Sequence, residues 1–168
     1  MLDVTEQIQT LSELSIAMAG FAGVVFVLDR STHSVVAVFR VTNLLVLSFL
    51  TMAICLVHSV IANTYEPALS NRLSSGVLAV LVGGILATFS LPNYFRLAIP
   101  NRSQTAKLIA ILGPPMTVCS PVLALINAFG VFSQYSGSVL LLCLVLMLFS
   151  CALQFIAAIV DRDPTDDA

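Results

Sequence analysis

Few side chains of this sequence could do chemistry, and the most unusual of them is an arginine at the edge of a long apolar segment. Arg40 and Asn43 are three residues apart, so a helix would place them on one face. The guanidinium of Arg40 could extend along the helix to a membrane surface. Alternatively, it could bind a lipid phosphate or pair with a carboxylate such as Asp161 or Asp163.

Two amides lie deeper in apolar segments. Gln154 is near the end of the last segment, and Asn127 is at the end of the one before it. A buried amide in apolar surroundings usually hydrogen-bonds a neighbouring helix, which contributes about 0.6 to 2 kcal/mol. We therefore expect both amides to join helices, with the lining of an aqueous path as the alternative.

One apolar segment combines three prolines with hydroxyl side chains. Each proline removes a backbone donor and clashes with the preceding turn, so this helix is predicted to be kinked or locally unwound. Nearby hydroxyls or a water molecule can satisfy the freed carbonyls. A static kink is the commoner outcome, and a hinge or ion path is the alternative. The candidate hinge or path residues are Pro114, Pro115, Thr117, Ser120 and Pro121.

Catalytic and metal chemistry have little support. His33 and His58 do not lie near a cysteine pair or another histidine at metal-ligand spacing. The sequence has no C-x-x-C, and no base is evident at the depth of a cysteine, so we expect free thiols that behave as small apolar groups. The four cysteines are Cys55, Cys119, Cys143 and Cys151. We predict no enzymatic activity, no metal and no cofactor.

The elements that position these residues follow from the charge pattern. From Leu108 to Val160 there are 53 consecutive residues without Asp, Glu, Lys or Arg. One helix of that length would rise about 80 Å, whereas the hydrocarbon core of a bilayer is about 30 Å thick. The run must therefore fold back, and the polar stretch 127–137 marks the turn. Hydrophobic residues make up 58% of the chain and charged residues 10%, with a mean hydropathy of +1.02. This composition is typical of membrane proteins.

Five apolar segments are predicted, and each must be helical because a lone strand in lipid leaves its backbone unpaired. Their approximate bounds are 11–28, 41–62, 73–91, 108–129 and 138–160. The predicted fold is all-α: residues 1–168 form one integral membrane bundle of five transmembrane helices. The uncharged core of the first segment, Leu14 to Leu28, is only 15 residues long. The alternative is therefore four spans plus an N-terminal helix that lies in the interface.

Cations indicate the orientation. Five crossings place six cations on one side and only Arg72 on the other, which puts the larger group in the cytoplasm. The six are Arg30, Arg40, Arg96, Arg102, Lys107 and Arg162. The N-terminus is then outside and the C-terminus inside. Loop 92–107 mixes aromatic residues with cations, so Arg96, Arg102 and Lys107 are candidates for contact with anionic lipid headgroups, as is Arg40.

Small residues occupy the middle of two segments. Small side chains let helix backbones approach closely in lipid, where packing replaces the hydrophobic effect between helices. The candidate packing residues are Ala19, Gly20, Gly23, Gly83 and Gly84. We expect them to pack within one bundle, with a contact between subunits as the alternative. No ionisable residue lies at mid-depth, which argues against proton-coupled transporters and voltage sensors.

The two ends of the chain carry a family resemblance. The stretch Ser15 to Val25 (SIAMAGFAGVV) and the stretch Leu140 to Phe155 resemble small uncharacterised bacterial inner-membrane proteins. In those proteins an AGFAG helix opens the chain and a Leu-rich helix ending in Gln-Phe closes it. The resemblance implies a bacterial cytoplasmic membrane and an integral first helix, and it implies no activity.

Two functions are compatible with these features. The first is a homo-oligomeric protein that forms or regulates a pore, along a path lined by hydroxyls that can coordinate ions without a charged group. The path residues would be Ser48, Thr51, Thr117 and Ser120. The second is a non-transporting scaffold or accessory subunit of a membrane complex. The expected partners are the bilayer and either further copies of the chain or another membrane protein, and no nucleic acid.

Overall fold

The computed structural model describes residues 4–28, 35–96 and 104–160, and this part of the chain is almost entirely helical. Its elements are α1 (Val4–Leu28), α2 (Val35–Ala62), α3 (Pro67–Ile85), a π-helical segment (Leu86–Ser90), α4 (Leu91–Arg96), α5 (Gln104–Ala128), a 3₁₀ turn (Ser133–Tyr135) and α6 (Ser136–Val160). No strand occurs within the described ranges. The predicted all-helical fold class is confirmed.

Three helical stretches in the described part are long and apolar enough to cross a membrane. They are Val38–Ala62, Pro67–Asn93 and Ser133–Ile156. A shorter apolar stretch, Pro115–Ala128, belongs to α5. These lengths fit a membrane protein, while the crossing of five helices stays a prediction.

The helical stretch Pro67–Asn93 is longer than the predicted segment 73–91. It begins at Pro67, which fits the first helical turn because proline needs no donor there. It also continues past Pro92, where the sequence predicts an end. The π-helical segment comes just before this proline, and the N–H of Leu91 donates to the carbonyl of Leu86. The wider turn of the π-helical segment lies next to Pro92, which has no N–H to donate to a carbonyl.

Helix α6 is the central element of the bundle, since it contacts α1, α2, α3 and α5. Its buried face includes Leu140, Leu144 and Met147 in the hydrophobic core. One stripe remains exposed at spacings of three, four and seven: Ser138, Leu142, Val145, Phe149 and Ile156. A helix that the other four surround on all but one stripe fixes their relative positions.

The distribution of polar and apolar residues is inverted relative to a water-soluble bundle. Large apolar side chains cover the outside, for example Phe21, Phe49, Val80 and Phe149. Hydroxyl, amide, imidazole and guanidinium groups lie inside. Contiguous apolar surface of this kind is rare on soluble monomers. The surface therefore suits hydrocarbon better than water.

The small residues divide between two roles. Ala19 is buried, and the position of a Cβ on Gly83 lies 3.8 Å from the Cβ of Pro121, which joins α3 to α5. Gly23 is half-buried. Gly20 and Gly84 are exposed, and a Cβ on either has no neighbour within 4 Å. The prediction that Gly20 and Gly84 pack within the bundle is wrong, because the helices present their neighbours Ala19 and Gly83 instead.

Proline does not interrupt α5. The helix runs from Gln104 to Ala128 through Pro114, Pro115 and Pro121, so the predicted local unwinding is not observed. Pro121 is buried against α3. The irregular turn of the bundle lies instead in the π-helical segment that follows α3. A hinge at these prolines stays a prediction.

We predict opposite outcomes for leucine at two adjacent glycines. Gly83→Leu should lower the free energy of unfolding by about 1–3 kcal/mol, because the larger side chain separates α3 from α5. Gly84→Leu should change it little, since its Cβ enters open space. Unfolding of the detergent-solubilised protein measures both. Equal destabilisation by the two variants would contradict this packing.

Candidate functional site

A stripe of buried polar residues runs along α2 and faces the centre of the bundle. Its members are Arg40, Asn43, Ser48, Thr51 and His58, all of them buried. His58 follows Arg40 by 18 positions, a rise of about 27 Å, close to the thickness of a hydrocarbon core. The candidate site is this stripe together with the side chains that it meets on α3, α5 and α6.

At the start of α2, three side chains from three helical elements form a chain of hydrogen bonds that we call the Asn43 cluster. The amide nitrogen of Asn43 donates to Gln154 Oε1 at 2.8 Å, and Ser90 Oγ donates to Asn43 Oδ1 at 2.6 Å. The prediction that Gln154 joins helices is confirmed. Ser90 is the last residue of the π-helical segment, so the irregular turn presents this hydroxyl to α2.

Arg40 lies one helical turn before Asn43 and is only 8% exposed. This burial does not fit a side chain that extends freely to the membrane surface. Its suggested partners Asp161 and Asp163 lie outside the described residues. A buried guanidinium beside a hydrogen-bonded amide gives this end of the bundle a positive charge.

The predicted path residues occupy the middle of the bundle, and all four are buried. Ser48 Oγ donates to Cys151 Sγ at 3.7 Å, and Ser120 Oγ donates to the carbonyl of Cys143 at 2.9 Å. The hydroxyl of Thr117 is hydrogen-bonded to that of Ser150. These residues therefore lie inside one bundle, where they connect α2 and α5 to α6.

Thr51 differs from the other three hydroxyl residues. Its Oγ1 donates to the carbonyl of Leu47 in its own helix at 2.9 Å. It is buried but makes no hydrogen bond to another helix among those observed. A substitution of Thr51 can therefore change the polarity of the interior without removing a hydrogen bond between helices.

At the opposite end, a second group that we call the Asn127 cluster joins α2, α3, α5 and α6. The Nδ2 of Asn127 donates to Ser75 Oγ at 2.8 Å and to the carbonyl of Ser136 at 2.9 Å. Beside it, His58 Nδ1 and Ser74 Oγ are 3.0 Å apart. The prediction that Asn127 bonds a neighbouring helix is confirmed.

The Asn127 cluster contains an unusual atom. Asn127 is 0% exposed, and its Oδ1 is the one buried side-chain nitrogen or oxygen of the described residues that has no hydrogen-bond partner. Rotating the amide would not help, because its oxygen would then face the carbonyl of Ser136. An unsatisfied buried acceptor costs about 1–3 kcal/mol. This oxygen can accept a hydrogen bond from a water molecule or a ligand.

Arg72 supplies the positive charge at this end. Its Nε and Nη2 donate to the carbonyl of Ala128 at 3.3 and 3.4 Å, where α5 ends. Gly130 has a φ of +82°, and a Cβ there would lie 2.8 Å from Arg72 Cζ. Glycine thus allows both the turn and the close approach of the guanidinium. No Asp or Glu is buried in the described part of the chain.

Among the described residues, one pair resembles part of a catalytic site. A serine beside an imidazole resembles a nucleophile with its base. However, Ser74 is 0% exposed, so a substrate could not reach its Oγ without separation of the helices. The cysteines are free, as predicted, and only Cys119 is exposed. Within the described ranges, no three His, Cys, Asp or Glu residues group as metal ligands.

Some predicted site residues cannot be placed. Arg102 lies outside the described residues, as does His33. Arg96 and Lys107 lie in α4 and α5, but their side chains are not among those described. Contact of these cations with lipid therefore stays a prediction.

Much of the Asn127 cluster was not predicted from the sequence. Ser74 and Ser75 lie at the start of the predicted apolar segment 73–91, and Ser136 lies in the predicted turn 127–137. The sequence contained a signal, since Ser70 and Asn71 precede Ser74 and Ser75 by one helical turn, and Leu78 continues the same buried face. Periodicity of small polar residues would have found this face.

Comparison with known proteins finds no matching family model, no matching curated protein and no matching solved structure. The resemblance to small bacterial inner-membrane proteins therefore stays a prediction.

We predict that Asn43→Ala lowers the free energy of unfolding by about 1–3 kcal/mol, because it leaves Ser90 and Gln154 without their shared partner. Ser90→Ala should cost less, since one of the two hydrogen bonds survives. Thr42→Ala, at the exposed neighbouring position, is the control and should change little. A double-mutant cycle between Asn43 and Gln154 that gives no coupling energy would contradict the contact.

Proposed function

We propose that this chain is a multi-pass membrane protein of five spans that forms or regulates a permeation path. We place the path in the polar interior of one protomer, from the Asn43 cluster past the middle hydroxyls to the Asn127 cluster. Moving an ion or a small polar solute into hydrocarbon costs free energy because hydrocarbon offers no hydrogen bonds, whereas this polar interior can supply them. The interior is therefore the most favourable route for such a solute.

The unpartnered Oδ1 of Asn127 is the observation that carries this proposal. A network that served only to hold helices together would gain from satisfying every buried acceptor. No described group donates to this acceptor at one end of the polar stripe, and a permeating molecule could donate a hydrogen bond to it when the helices separate enough to admit that molecule. Weak binding at such a site suits conduction, because a permeant must also be released.

The charges favour some permeating species over others. Arg72 places positive charge near one end of the stripe, and no acidic side chain is buried along the stripe in the described part. Divalent cations are therefore disfavoured by repulsion. Small neutral solutes that donate hydrogen bonds fit the open oxygen of Asn127 best.

Assembly and location belong to the same proposal. The apolar exterior allows contact with a second copy of the chain, so a homo-oligomer belongs to the same proposal. The distribution of cations supports an N-terminus outside and a C-terminus in the cytoplasm, and the resemblance of the two ends of the chain supports a bacterial cytoplasmic membrane.

A scaffold or accessory subunit is the second candidate function. The buried hydrogen bonds favour this alternative, since in the described ranges all buried side-chain nitrogens and oxygens except Asn127 Oδ1 have a partner. Under this alternative the polar interior serves helix association alone. A membrane protein partner should then co-purify after gentle detergent extraction, and a mass measurement would reveal it.

We predict that the protein reconstituted into vesicles passes small neutral solutes or monovalent ions, and that Thr51→Val lowers the flux roughly tenfold. The reason is that removing one hydrogen-bonding group from the path costs the permeant about 1.4 kcal/mol. Thr88→Val is the matched control, because Thr88 also bonds its own helix, at 2.7 Å, but is exposed on the outside. Stopped-flow measurement of vesicle volume and of ion-sensitive dyes provides both rates.

Two results would count against permeation. A reconstituted protein of confirmed integrity that passes neither class of solute would favour the scaffold. Equal loss of flux in Thr51→Val and Thr88→Val would move the path away from the protomer interior.

A further inference from the structure

A cleft between α1 and α2 meets the polar stripe at Ser48. Its volume is about 320 Å³. Its floor contains Ser15, Ala19 and Ser48, which are buried, and its rim contains Ile16, Gly20, Phe49 and Met52. The cleft therefore opens to the apolar outside of the bundle.

The depth of the cleft is defined by its position on α2. Ser48 is ten residues after the start of the apolar stretch at Val38, and Met52 is ten residues before its end at Ala62. If this stretch crosses the bilayer, ten residues on each side correspond to about 15 Å, so the cleft lies at the centre of the hydrocarbon core. Lipid acyl chains are the molecules present at that depth.

The side chains of the walls offer a polar occupant no free hydrogen-bond donor. Ser15 Oγ donates to the carbonyl of Ser12 at 2.7 Å, and Ser48 Oγ donates to Cys151 Sγ. Both hydroxyl groups thus donate their hydrogen bonds to acceptors within the protein, and most of the remaining lining is aliphatic or aromatic. Apolar cavities of this type do not hold water. A void would deprive the walls of dispersion contacts, so an apolar molecule fills it.

Size separates a lipid from a second copy of the chain. Seven residues line the cleft, whereas a stable protein interface uses about 20–30 residues on each side. A cleft of this extent suits one flexible chain that enters from the side. We propose that it is a binding site for an acyl chain of a membrane phospholipid, held between α1 and α2.

The test uses the full chain in vesicles that contain a phosphatidylethanolamine with a photoactivatable diazirine near the end of one acyl chain. After illumination, mass spectrometry locates the labelled residues. We expect labelling concentrated on residues 15–20 and 48–52, above that of the exposed α3 face around Val80 and Gly84. Uniform labelling of the apolar exterior would overturn the proposal, and this arm needs no variant.

Two matched glycine variants provide a second arm. Gly20 lines the cleft, whereas Gly84 lies on α3 outside it, and a Cβ on either glycine meets no atom within 4 Å. Gly20→Leu should therefore abolish the excess labelling, and Gly84→Leu should preserve it. Persistence of the excess in Gly20→Leu would overturn the proposal. Crosslinks from this cleft to a second chain in place of lipid would do the same and would assign the cleft to self-association.

Discussion

The arrangement of this protein depends on the need of buried polar groups for hydrogen-bond partners in surroundings that supply none. The apolar helices satisfy their backbones internally, but their polar side chains must find one another. They do so across the bundle, as in the contacts of Asn43 with Gln154 and of Asn127 with Ser75. The positions of the polar side chains therefore restrict how each helix is rotated, and apolar side chains fill the rest of the interior as well as the outside.

This constraint explains the form of α2, α3 and α6. Helix α2 holds its polar stripe against α6, whose small and thiol side chains leave room for it. The π-helical segment after α3 brings Ser90 into contact with Asn43, which is an example of an irregular turn at a polar contact. Both ends of the interior thus have an amide at their centre, and the two clusters differ in one respect: both polar atoms of the Asn43 side chain have a hydrogen-bond partner, whereas Asn127 Oδ1 has none.

The sequence predicted what depends on composition and length. Apolar runs predicted the helices, and burial of Asn127 and Gln154 in such runs predicted that they bond neighbours. It could not predict details that depend on helix rotation by one residue. Gly20 and Gly84 are adjacent to packed residues but face outwards, since a step of one residue turns a helix by about 100°. The π-helical turn also escaped prediction, because Pro92 indicates an end as readily as an irregular continuation.

The central claim is that hydrocarbon surrounds the apolar exterior while polar groups meet inside. Spin labels placed singly at Val145 and at Leu144, in the reconstituted protein with Cys119 replaced, test it directly. Val145 is on the exposed stripe of α6 and Leu144 is buried. The account predicts frequent collisions of the Val145 label with oxygen and few with a water-soluble nickel complex, and few collisions of the Leu144 label with either. Ready access of the nickel complex to Val145 would contradict it.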